Sequence, residues 1–74
     1  MFLADYLIQQ NMSQGEFARR CELSAAAVSR IINGQRFPSP ETMYIILIAT
    51  GGKVGADDFF RERVARRGSN NNVS

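Results

Sequence analysis

Apolar residues recur along the chain at spacings of three and four, and serine, asparagine or glycine interrupts each run. This is the rhythm of short amphipathic helices joined by tight turns. Leu3, Tyr6 and Leu7 with Gln10 trace one stripe, which predicts a first helix from Phe2 to about Gln10 with Asn11 at its end. Ser13 and Glu16 stand in the S-x-x-E relation of a capping box, in which the serine side chain satisfies a free amide and the glutamate reaches back. A second helix therefore starts at Gln14, buries Phe17, Ala18 and Cys21, and stops near Cys21 or Glu22 with Glu16, Arg19 and Arg20 facing out. Ser24 is another N-cap, and Ala25, Ala26 and Ala27 behind it have the strongest helix propensity. The third helix buries Val28, Ile31 and Ile32 and ends at Gly34, a residue suited to a left-handed cap.

Ser39-Pro40-Glu41 marks a fourth start by its N-cap serine, its proline at the first helical position and its first-turn acid. The following MYIILIA is rich in β-branched residues and reads as a strand on propensity alone. The caps decide for helix, because Gly51 and Gly52 stop the run and no second strand is visible to pair with it. Met43, Ile46 and Leu47 form one face and Ile45, Ile48 and Ala49 another, more apolar circumference than one small core uses, and the surplus predicts a partner. Asp57 and Asp58 favour the positive end of a short fifth helix within Val54 to Val64. Arg61, Arg63, Arg66 and Arg67 form a basic segment, read either as a solubilising helix end or as an arm that reaches phosphates. The polar stretch 68–74 is expected to be a disordered tail after a single domain of residues 1–67.

The outward face of the third helix carries the chemistry. Ala25 and Ala26 permit close approach to a duplex, Ser29 pairs with almost any base edge, and Arg30 offers a fork to the O6 and N7 acceptors of guanine. Asn33 lies one turn further toward the phosphates. Gln14 sits at the start of the second helix, where free amides make an anion site.

The segment Gln14 to Asn33 resembles the helix-turn-helix of the Cro and phage-repressor family. That pattern asks for alanine at its fifth place, here Ala18, and for apolar residues where this chain has Phe17, Cys21, Leu23, Val28 and Ile31. The link N-G-Q-R-F-P-S-P-E-T from Asn33 to Thr42 is similar to that family's N-G-x-x-x-P-S-x-x-T. The resemblance covers roughly Phe2 to Phe60. It implies an all-α, four- to five-helix lambda-repressor-like domain that binds double-stranded DNA as a homodimer on a two-fold symmetric operator. It further implies base reading by Ala25, Ala26, Ser29 and Arg30, phosphate contacts from Gln14, Asn33, Gln35, Arg36 and Ser39, and a dimer surface of Ile45, Ile48, Val54, Phe59 and Phe60. One departure is Glu22, where the family has glycine in a left-handed turn, a substitution that costs on the order of 1 kcal/mol.

Composition narrows the alternatives. The chain has 74 residues, a formal net charge of +2 and a pI near 9.2, so bulk charge gives only weak attraction to an anion and binding must come from placed arginines. It has no histidine and one cysteine, Cys21, expected as a buried structural thiol. No catalytic set, metal site, cofactor or small-molecule ligand is indicated, and Asp57, Asp58 and Glu62 are read as helix-start acids rather than metal ligands. The opening MFLADYLIQQ is too short for a signal peptide or membrane span, and a reducing cytoplasm suits the lone thiol. The resulting expectation is a stand-alone Cro-like repressor of a phage, prophage or mobile element. The competing expectation is an antitoxin-like interaction module that holds a protein on Met43 to Val64 and binds DNA secondarily.

Overall fold

Serine side chains start three of the helices. Ser13, Ser24 and Ser39 each accept a backbone N–H three residues on, from Glu16 at 3.0 Å, Ala27 at 3.0 Å and Thr42 at 3.2 Å. Each such cap is worth about 1 kcal/mol, a large share of what a small domain has in hand. The computed structural model describes the backbone of residues 1–71 and side chains as far as Arg66. Over that range it is all-helical, with α1 at Leu3–Gln10, α2 at Gln14–Cys21, α3 at Ala25–Ile32, α4 at Pro40–Ala49 and α5 at Ala56–Asn71. Glu16 does not close the capping box as expected; its carboxylate accepts instead from Arg20 at 3.1 Å, one turn along α2.

The ends of the first four helices share one device. After α1, α2, α3 and α4, the residues Asn11, Glu22, Gly34 and Gly51 take positive φ, and the next amide bonds back five residues, to Leu7, Ala18, Arg30 and Leu47. This is the Schellman closure, which satisfies carbonyls that a helix end leaves free and turns the chain sharply. Four sharp reversals within about fifty residues are how so short a chain wraps its helices around one core.

That core is Leu3 and Leu7 of α1, Phe17 and Cys21 of α2, Val28 and Ile31 of α3, Met43 and Ile46 of α4, and Val54 and Phe59 at and after the α4–α5 link. Tyr6 stands edge-on to Phe17 at 6.3 Å between ring centres, as a core aromatic. Burial pushes the Cys21 thiol pKa up, which fits the structural role expected of it. Val54 and Phe59 correct the expected dimer surface: they are 0% and 4% exposed, part of the protomer's own core, with nothing left to offer a second copy. The helix that carries Phe59, α5, is longer than the short one expected, reaching Asn71. Of the stretch 68–74 expected as a disordered tail, the backbone of residues 68–71 continues α5, and residues 72–74 lie outside the described residues.

Two buried polar groups fix the α4–α5 link. Thr50 Oγ1 donates to the Ile46 carbonyl at 2.8 Å and accepts from Val54 N at 3.1 Å. Asp58 accepts from Gly55 N at 2.9 Å, reaching back to the start of α5, and from the N-terminal ammonium of Met1 at 2.8 Å. Burial alone would raise the Asp58 pKa, but the Gly55 amide, the ammonium and the nearby Arg61 outweigh it and hold the carboxyl below its ordinary value.

Candidate nucleic-acid interface

α2 and α3 are separated by only Glu22, Leu23 and Ser24, and the angle between them rests on the backbone of Glu22 at φ 57, ψ 38. Phe17, Ala18 and Cys21 anchor α2 to the core while Val28 and Ile31 anchor α3. Anchoring α3 by those two residues turns Ala25, Ala26 and Arg30 to solvent and leaves Ser29 half-exposed beside them. Asn33 Nδ2 lies 3.5 Å from Ser29 Oγ, at the outer limit of a hydrogen bond, so both polar groups keep capacity for a base edge. Arg30 has no ion pair or hydrogen bond from its guanidinium among the described residues.

The expected phosphate contacts fall on both flanks of this face. Gln14 is exposed at the first position of α2, and Gln35 and Arg36 are exposed in the loop after α3. Both loop amides, Gln35 N at 2.9 Å and Arg36 N at 3.2 Å, donate to the Arg30 carbonyl, so the start of the loop is tied to the last turn of α3. Ser39 is differently placed. Its hydroxyl caps α4 and donates to Thr42 Oγ1 at 3.0 Å, so its proton is committed within the protein.

Among the described residues the basic segment of α5, Arg61, Arg63 and Arg66, is not a free arm, and Arg67 lies outside the residues whose side chains are described. Arg66 Nη2 donates to the Ile32 carbonyl at 2.9 Å and pairs with Glu62 at 3.2 Å, Arg61 pairs with Asp57 at 3.5 Å, and the Arg63 guanidinium sits 4.7 Å above the Phe37 ring. Phe37 in turn packs on Phe60 with ring centres 5.1 Å apart. Sequence reasoning did not find these contacts, because an arginine one turn after an acid on a polar helix reads as solvated; only the i, i+4 pairing was there to see.

A model of the helix-turn-helix family matches residues 3–55, from the start of α1 to the residue before α5. The chain belongs to the Cro/phage-repressor-like helix-turn-helix family. As a member it is a DNA-binding transcriptional regulator, and the family is one of regulators rather than of enzymes. No curated protein and no solved structure matches it. The family's helix-turn-helix is α2 and α3 here, with α3 in the position of the reading helix. Among the described residues there is no cluster of metal-ligating side chains, and no helix is long and apolar enough to cross a membrane.

The remaining residues expected at a dimer contact divide cleanly. Ile48 and Phe60 are 61% and 51% exposed, Ile45 is half-buried, and Tyr44 and Val64, not singled out from the sequence, are the other large exposed apolar groups of α4 and α5. Tyr44 with Ile48, and Phe60 with Val64, stand one turn apart on their helices.

Proposed function

We propose that this regulator is a Cro-like repressor that binds a two-fold symmetric operator as a homodimer and occludes a promoter. The observation that carries the reading is the outer face of α3, two alanines, a half-exposed serine and one unpartnered arginine, flanked by exposed Gln14, Gln35 and Arg36. Small residues at the helix entry let the backbone approach the major groove, Arg30 reads guanine, and Ser29 with Asn33 reads or braces the neighbouring pair. Gln14, Gln35 and Arg36 hold phosphates and set register.

Dimerisation follows from the energetics. One bidentate arginine supplies about 1–3 kcal/mol of discrimination, too little for a single copy to find one site among many. Two copies with reading helices roughly 34 Å apart double that term. The exposed Ile48, Tyr44, Phe60 and Val64 supply apolar surface on which a second copy can close.

Selection of bound duplexes from a random pool tests this. An inverted repeat with a conserved G·C pair in each half-site is the expected result. Enrichment of a single half-site would overturn the dimer, and no enrichment would overturn sequence-specific binding and favour the protein-interaction module.

A further inference from the structure

The last carbonyls of α3 must find donors, as at any helix end. Asn33 N reaches the Ser29 carbonyl at 2.9 Å, Gln35 N and Arg36 N share that of Arg30, and Gly34 N reaches that of Ile31 at 3.2 Å. The loop thereby covers three carbonyls with its own amides. The carbonyl of Ile32, the last residue of α3, is reached by a side chain from 34 residues further along, Arg66 Nη2 at 2.9 Å. A guanidinium at a helix C-terminus also meets the negative end of the helix dipole.

Two further observations put α5 over the same loop. Gly34, at φ 78, lies so close under Arg66 that a Cβ there would come within 2.8 Å of its Cζ. Phe37, on the far side of Arg36, is held between the Phe60 ring and the Arg63 guanidinium. The loop carrying Gln35 and Arg36 is thus held at both ends by α5. Between these contacts a groove of about 360 Å³ stays open, so side-chain tips rather than continuous packing make the connection. The family match stops at residue 55, before the α5 residues Phe60, Arg63 and Arg66 that make it.

We infer that Arg66 is a positioning residue for DNA binding: with Phe60 and Arg63 it makes α5 a brace that fixes the end of the reading helix and the phosphate-contacting loop. The inference rests on the DNA-binding reading above. Arg66 touches no DNA in this account; Glu62 holds its guanidinium on the Ile32 carbonyl, and that bond holds the loop.

The test compares Arg66→Met and Glu62→Gln with wild type by two readouts. The first, free of DNA, is amide hydrogen exchange at Gly34, Gln35 and Arg36. Both variants should exchange faster there while the core amides of α2 and α4 stay protected, and unchanged loop exchange overturns the brace whatever happens with DNA. The second is affinity for the selected duplex and for random duplex across a salt series. The expected result is about tenfold weaker specific binding with an unchanged salt slope. A slope reduced by about two, roughly one for each protomer of the dimer, with specific and random duplex weakened alike, would make Arg66 a phosphate contact instead and overturn the positioning role. Failure of wild type itself to enrich any duplex would overturn the functional reading, and the exchange data would still decide the brace. Glu62→Gln keeps every cation, so the same loss in that variant separates position from charge, and a thermal melt of each variant excludes general unfolding.

Discussion

Replacing Glu22 by glycine should stabilise the protein. Glu22 is exposed, its side chain makes no hydrogen bond among the described residues, and its backbone lies at φ 57, ψ 38, where a side chain crowds the following carbonyl. An L-residue pays about 1–2 kcal/mol for that conformation and glycine pays almost none. Against the gain stands the greater freedom of glycine in the unfolded chain, about 0.4–1 kcal/mol. The two bonds that close the turn, Glu22 N to the Arg19 carbonyl at 3.2 Å and Leu23 N to the Ala18 carbonyl at 2.8 Å, are backbone only and survive the change.

The net expectation is about 0.5–1 kcal/mol of added stability, which for a domain of this size is roughly 2–8 °C in Tm. Thermal melts followed by circular dichroism and urea titrations of wild type, Glu22→Gly and Glu22→Gln measure it. The glutamine variant removes the charge and keeps the strained backbone, so it should gain little. If Glu22→Gly were no more stable than Glu22→Gln, the left-handed strain would not be the cost assigned to it. Binding to the selected duplex should be retained, since glycine adopts the same turn.

Other perturbations test other parts of the account. Arg30→Ala should cost about 1–3 kcal/mol of specific binding per half-site, roughly twice that for the dimer, and relax the preference at one base pair in each; an unchanged ratio of specific to random affinity would remove Arg30 from the readers. Phe17→Ala empties the centre of the core and should cost about 3–5 kcal/mol, enough to leave a chain this small partly unfolded at 37 °C by circular dichroism. Ile48→Glu, at an exposed site, should leave the melt of the protomer nearly intact while shifting sedimentation from dimer to monomer and weakening operator binding; a variant that still sediments as a dimer would move the interface elsewhere. Because the folded-state pKa of Asp58 is lowered, its contribution is present above the unfolded carboxyl pKa and is lost as pH falls through the folded value. Asp58→Asn should therefore be less stable than wild type at neutral pH by about 1–3 kcal/mol, with the gap closing in acid, and a gap independent of pH would rule out the charge.

The parts of the fold readable in advance were those written by local chemistry. Ser13, Ser24, Ser39 and Pro40 announce helix starts because capping depends on residues within one turn, and the three-and-four spacing of Phe17, Cys21, Val28 and Ile31 announces the buried faces. Gly34 and Gly51 announce their ends for the same reason, and Glu22 was legible only because the family pattern marks its turn. What escaped depends on residues far apart in sequence. Nothing near Arg66 names the Ile32 carbonyl as its partner, and nothing near Asp58 names the ammonium of Met1. Phe59 and Phe60 are adjacent and alike in type, and only the direction of α5 decides that the first enters the core and the second stays outside.

The arrangement of charge says more about DNA than the net +2 does. Arg20, Arg61 and Arg66 each pair with an acid one turn earlier, Glu16, Asp57 and Glu62, at 3.1, 3.5 and 3.2 Å, and Arg63 is spent on Phe37. Exposed pairs of this kind add only about 0.3–0.5 kcal/mol to stability each, so their larger effect is to keep positive charge on α5 from competing for phosphates. Among the described residues Arg19, Arg30, Arg36 and Lys53 carry no such partner, and of these Arg30 lies on the reading face and Arg36 in the loop beside it. If Arg36 and one further cation reach phosphates in each protomer, a dimer should show a slope of about −4 or shallower in log K against log salt, at about −0.9 per phosphate. Fluorescence anisotropy on the selected operator over a series of salt concentrations measures that slope. A value near −10 would mean that the arginines of α5 leave their acids and join the interface, and the bracing of the loop would then have to be undone on every binding event.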